Sequence, residues 1–139
     1  MLYKRILGEE HPDVATSLNN IATLYYDQGH YSEAEPLYTQ ALALRRRILG
    51  EEHPDVASSL NNLGDLYRSQ GHYSEAECLF LQAIIRALRC LGEDHPNTQI
   101  FISNFIRTLK EALNGNQSDQ LSDHPLTQHL LAQLRDTAD

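Results

Sequence analysis

Apolar residues recur at three- and four-residue intervals along most of the chain, the spacing that gathers them on one face of an α-helix. Val14, Leu18, Ile21, Ala22 and Tyr25 form one such stripe, and Val56, Leu60, Leu63, Gly64 and Tyr67 repeat it. After each comes a second stripe: Ala34, Leu37, Tyr38, Ala41, Leu42 and Ile48, matched by Ala76, Leu79, Phe80, Ala83 and Ile84. The pattern predicts helices in pairs, and the residues between the stripes agree. Pro12 and Pro54 suit the first helical position, where a missing amide hydrogen costs nothing, and Asp13 and Asp55 put negative charge at the positive end of the helix dipole. Gly29 and Gly71 permit the left-handed turn that ends the first helix of each pair. Ser32-Glu33-Ala34-Glu35 and Ser74-Glu75-Ala76-Glu77 predict a reciprocal serine–glutamate cap at the start of the second.

The pairs are copies. Shifted by 42 residues, positions 7–48 match 49–90 at 27 of 42 places, and Leu7 to Ala15 reproduces Leu49 to Ala57 without a mismatch. A third copy opens with Leu91-Gly92-Glu93-Asp94-His95-Pro96 and then diverges, keeping the helical stripe Ile102, Phe105, Ile106, Leu109 and Leu113. A fixed period of this size predicts an all-α solenoid of stacked helix pairs. The expected divisions are the end of a truncated preceding repeat at 1–8, repeats at 9–50 and 51–92, the first helix of a degenerate terminal repeat at 93–113, a polar linker at 114–122 and a capping helix at 123–139. In that last segment Leu126, Leu130 and Leu134 would cover the apolar face that a terminal repeat leaves open.

Leu18, Ile21, Ala22, Tyr25, Gly29, Tyr31, Ala34, Tyr38 and Ala41 have the spacing of the tetratricopeptide motif, and their counterparts from Leu60 to Ala83 have it again. With the 42-residue period, Leu-Asn-Asn in the first helix and Leu-Gly-Glu-Glu-His-Pro between repeats, the chain resembles the kinesin light chain-like subtype over residues 1–113. The resemblance implies a right-handed α-solenoid whose first helices line a concave groove for an extended peptide. On the face about 100° round from the core stripe, it assigns the groove to Thr16, Asn19, Thr23 and Tyr26 in the first repeat and Ser58, Asn61, Asp65 and Arg68 in the second. Arg107 continues the row in the third copy, and Asn20 and Asn62, a further step round, are second choices. An asparagine amide both donates and accepts, which suits it to gripping a peptide backbone; the same amides could instead bond neighbouring repeats. This groove mixes Asp27 and Asp65 with Arg68, Arg107 and Lys110, so the preference of kinesin light chains for acidic, tryptophan-bearing peptides does not carry over to it.

Charge narrows the partners. A net charge of -8 and a pI near 5.2 disfavour nucleic acid, which is bound through clustered cations. The run Arg45-Arg46-Arg47 sits at the end of a predicted helix, where it complements the dipole. No stretch approaches the roughly 20 apolar residues of a membrane span. Cys78 and Cys90 fall in one predicted helix, too far apart to bridge, which points to a reducing, cytoplasmic setting; they replace Pro36 and Ile48 of the first repeat as packing variants. His11, His53 and His95 recur with the period and are given a structural role at helix starts rather than a metal. No cofactor or metal is expected. No hydrolase elbow, nucleotide loop, zinc-protease or dinucleotide motif occurs, so an enzyme is not indicated. The expected partner is a protein or peptide. The alternative is a structural or self-association module, part of a longer solenoid or a homo-oligomer joined through the N-terminal repeat face.

Overall fold

The computed structural model describes residues 11–138, so the expected remnant of a preceding repeat at 1–8 lies outside the described residues. Those residues form six α-helices: α1 (Pro12–Asp27), α2 (Tyr31–Leu49), α3 (Pro54–Ser69), α4 (Tyr73–Cys90), α5 (Pro96–Asn114) and α6 (Pro125–Ala138). A 3-10 turn, Ser118–Gln120, lies between the last two. The expected all-α repeat solenoid is the fold observed.

The punctuation explains why the helices begin and end where they do. Ahead of α1, α3 and α5 a histidine in extended backbone precedes the proline, and its Nδ1 accepts the amide hydrogen of Asp13, Asp55 or Asn97, each at 3.0 Å. His11, His53 and His95 are therefore N-caps, satisfying donors that the first helical turn leaves unpaired. His124 caps α6 in the same manner through the amide of Leu126 at 3.2 Å. At the other end of α1 and α3, Gly29 and Gly71 take φ of +78° and +80°, and the amides of His30 and His72 reach back 2.8 Å to the carbonyls of Tyr25 and Tyr67. That reach makes a Schellman turn. It also displaces the expected serine cap: α2 and α4 start at Tyr31 and Tyr73, one residue before the serine, and no side chain caps either helix.

Within each pair an aromatic residue of the second helix packs on a small residue of the first. Phe80 is fully buried, and its ring lies 3.1–3.2 Å from where a Cβ on Gly64 would stand. In the first repeat the same place is Ala22, facing Tyr38, whose hydroxyl pairs with Thr23 at 2.9 Å. The second repeat has Asp65 in place of Thr23 and Phe80 in place of Tyr38. Loss of that hydroxyl leaves the Asp65 carboxylate free for partners elsewhere.

At the C-terminal end, Leu121 and Leu131 are buried in the main core, with Leu126, Leu130 and Leu134 packed against it. The segment is anchored by Glu77, only 2 % exposed, which accepts hydrogen bonds from the Ser122 amide (2.8 Å), the Ser122 hydroxyl (2.5 Å) and the Thr127 hydroxyl (2.6 Å). The two cysteines are exposed rather than packed. Cys78 accepts from Gln82, and the Cys90 thiol donates to the carbonyl of Glu52. Among the described residues no helix is long and apolar enough to cross a membrane.

Candidate functional site

The first helices α1, α3 and α5 lie side by side, and a single register joins them. The amide of Asn62 donates to Asn19 Oδ1 at 2.9 Å, and that of Asn104 donates to Asn61 Oδ1 at 3.1 Å. Tyr26 pairs with Ser69 at 2.7 Å, and Arg68 donates to both carboxylate oxygens of Glu111 at 3.0 and 3.1 Å. In all four pairs the partners are 43 residues apart, one period plus one. The offset of one has a simple origin. Residues turn by about 100° per position on a helix, so a residue leaning toward the next repeat meets the neighbour's residue that leans back.

Tyr26, Asp65 and Arg68 form one cluster. The Tyr26 hydroxyl donates to Asp65 Oδ2 at 2.6 Å, and Arg68 Nε donates to Asp65 Oδ1 at 2.9 Å. The Arg68 side chain is 10 % exposed. Burial raises the Tyr26 pKa above that of a free phenol, and the hydrogen bond and charge of Asp65 add to the rise. For Arg68, burial alone would favour the neutral form, but Asp65 and then Glu111 outweigh it and hold the guanidinium firmly protonated. Charge-assisted, bidentate pairs of this kind fix geometry as well as adding energy. The cluster joins three helices.

The other expected groove residues are placed as follows. Thr23 is half-buried and held between the Asn19 carbonyl and Tyr38; Thr16 is exposed, bonded weakly to the Pro12 carbonyl at 3.4 Å; Ser58 is half-buried. Asn61 is 8 % exposed. Asn20 and Arg107 are exposed, and Asn62 is half-buried. Thus the face about 100° from the core stripe is largely where one repeat meets the next, through Asn19, Tyr26, Asn61, Asp65 and Arg68, while Thr16, Asn20 and Arg107 remain exposed. The residues missed from the sequence are Ser69, Asn104 and Glu111, each the far partner of a residue that was named; the signal for them is the one-residue offset.

Each asparagine pair leaves groups unused. Asn19 Nδ2 and Asn62 Oδ1 have no bond among the described residues, nor do Asn61 Nδ2 and Asn104 Oδ1. Every pair therefore offers one donor and one acceptor, the complement of a peptide group. Beside this row, an open depression of about 500 Å³ lies between the ends of α3 and α5, lined by Arg68, Ser69, Gln70, Tyr73, Glu111 and Asn114. The buried Gln70 Oε1 has no hydrogen-bond partner among the described residues. No three of His, Cys, Asp and Glu come together to hold a metal ion among the described residues.

The tetratricopeptide repeat family model matches residues 14–55 and 56–97. Among solved structures, BtubC (BKLC) from P. vanneervenii superposes with a TM-score of 0.71 at 27 % identity, covering 92 % of this chain and 50 % of that one. A kinesin light chain-type protein of Podosopora anserina, built of nearly identical TPR-like repeats, gives 0.67 at 27 % identity over 89 % of this chain and 66 % of its own. A variant form of that protein gives 0.65, also at 27 % identity, over 92 % and 56 %. The chain thus spans about half to two thirds of the length of these relatives. No curated protein sequence matches. Two consecutive repeats of this length, capped and stacked in one register, place the chain in the tetratricopeptide repeat family, in its kinesin light chain-like subtype.

Proposed function

We propose that the chain is a scaffold that holds an extended peptide or protein segment across α1, α3 and α5, on the side turned away from the second helices. Tetratricopeptide folds mediate protein–protein interaction, and the groove is the finer reading. The observation that carries it is the row of asparagine pairs, each with a spare donor and acceptor, repeated at the spacing of stacked helices. That spacing is about 8–10 Å, so an extended strand rising about 3.3 Å per residue would meet a pair at every third residue. Recognition through backbone groups tolerates many sequences. Selectivity then rests on side chains beside the row: Thr16, Asn20 and Ser58, and Arg107, which is exposed and has no partner among the described residues.

The remaining expected positions contribute at one remove. Asn19 and Asn61 offer their Nδ2 groups, while Thr23, Tyr26, Asp65 and Arg68 hold the helices in line. The test is to select binding peptides from a displayed library and measure their affinity by fluorescence anisotropy. Thr16→Arg and Ser58→Arg crowd the face without touching a repeat-to-repeat bond, and each is expected to weaken binding at least about tenfold, the equivalent of 1.4 kcal/mol, with the melting temperature unchanged. Undiminished binding in both variants would remove the groove.

A further inference from the structure

Each complete repeat sets an aromatic ring of its second helix against a small residue of its first: Tyr38 with Ala22, and Phe80 on Gly64, where the ring lies 3.1–3.2 Å from an added Cβ. The third copy keeps neither half of this arrangement. Ile106 stands at the place of Gly64, and Ser122 at the place of Phe80. The Ser122 hydroxyl is turned to Glu77, and no phenylalanine, tyrosine or tryptophan follows Phe105 in the sequence. Helix α6 closes this end of the core instead. Leu131 is fully buried, but Leu130 and Leu134 beside it are half-buried, as is Ile106. These three side chains line an open cavity of about 420 Å³ between α5 and α6, a size that suits small molecules.

The mouth of the cavity is polar and carries one sign of charge. Gln133, Asp136 and Thr137 form it, all exposed in the last turns of α6. Asp136 makes no ion pair among the described residues, and the neighbouring Arg135 is bonded to Ser118 at 3.3 Å. The final carbonyls of a helix lack intrahelical partners and form the negative end of its dipole. A cation at the mouth therefore meets a carboxylate and a helix C-terminus together.

We propose that this cavity binds a small planar aromatic amine, with its ring against Ile106, Leu130 and Leu134 and its ammonium group at Asp136. The ring restores the aromatic contact that both complete repeats make and the third copy lacks. The ammonium follows from the charge at the mouth. A free small molecule is the occupant because a cavity of this volume encloses a whole ligand of that class, whereas one side chain of a partner would fill only part of it. The site lies between α5 and α6 and is separate from the peptide groove at Thr16 and Ser58.

The probe is tryptamine. The chain has no tryptophan, so indole fluorescence excited beyond the tyrosine band reports the ligand alone. Saturable binding is expected, weakened about threefold by Asp136→Asn, as for an exposed ion pair. Gln133→Phe supplies the missing ring from the chain itself and should weaken binding at least about tenfold, with helical circular dichroism retained and the melting temperature no lower. Neutral N-acetyltryptophanamide, which presents the ring as a peptide would, should bind at least about threefold more weakly than tryptamine. Thr16→Arg and Ser58→Arg should leave tryptamine binding unchanged. Absence of saturable binding, or binding indifferent to Gln133→Phe or to Asp136→Asn, would overturn the inference. So would equal or tighter binding of the neutral amide, which would make a partner's side chain the occupant, or loss of binding in a groove variant, which would place the amine in the groove.

Discussion

The interface between the first and second repeats and the one between the second and third share a register but not a chemistry. In the first, a phenol and a hydroxyl meet, Tyr26 with Ser69, and Arg45 fills the space beside Ser59. In the second, Arg68 grips the Glu111 carboxylate, and the buried Ala87 and Phe101 stand at the places of Arg45 and Ser59. Only the asparagine pair is kept in both. The register comes from helix geometry and the 42-residue period, whereas the side chains at each joint can exchange size and charge provided both partners change together.

The sharpest way to break the comparison is to remove a buried leucine and its exposed counterpart. Leu66→Ala is expected to cost about 2–5 kcal/mol in urea unfolding, as other large-to-small core changes do, while Leu24→Ala stays within about 0.5 kcal/mol. Equal costs would mean that the packing of one repeat on the next is not what buries this position. Next in size is Arg68→Ala, which strands the Asp65 and Glu111 carboxylates and should cost about 2 kcal/mol. In a double-mutant cycle its coupling to Glu111→Ala should exceed that of Tyr26→Phe with Ser69→Ala, because the Arg68–Glu111 pair is ionic and the Tyr26–Ser69 pair is neutral. His53→Ala removes a helix cap and should cost about 1 kcal/mol.

The smallest effect is at alkaline pH. Burial raises the pKa of Tyr26, of Tyr38 and of Tyr67, with Asp65 adding to the shift at Tyr26 and Glu35 at Tyr67. A raised folded-state pKa gives stability that is present below the unfolded value of 10.0 and is lost as pH rises through the folded value. The urea midpoint should therefore fall above pH 10, and Tyr26→Phe should make the fall shallower. An unchanged pH profile in that variant would show that the Tyr26 hydroxyl is not held as described.

Helix starts, helix ends and the repeat were legible in the residues because each is a local matter: His-Pro-Asp opens a helix, and glycine closes one. Even so, the capping at α2 and α4 was misread, since the Schellman turn at Gly29 and Gly71 brings the chain into the next helix before Ser32 and Ser74 can act. The joints were only half legible. Asn19, Tyr26, Asn61 and Arg68 were singled out by type and spacing, but Asn104 and Glu111 lie in a diverged copy, where the one-residue offset appears only once helices stand side by side. Glu77 gave no sign of its role. Its equivalent, Glu35, lies near enough to Tyr67 of the next repeat for its charge to raise the phenol's pKa, but the third copy has Leu109 in place of that tyrosine, and the Glu77 carboxylate turns to Ser122 and Thr127 instead.

The account turns on whether the asparagines join the repeats or merely line them, and urea unfolding of the combined Asn19→Ala and Asn61→Ala variant tests that most directly. The bonds from Asn62 and Asn104 predict a loss of about 1–2 kcal/mol with the transition still cooperative. Stability equal to that of the unaltered chain would contradict it.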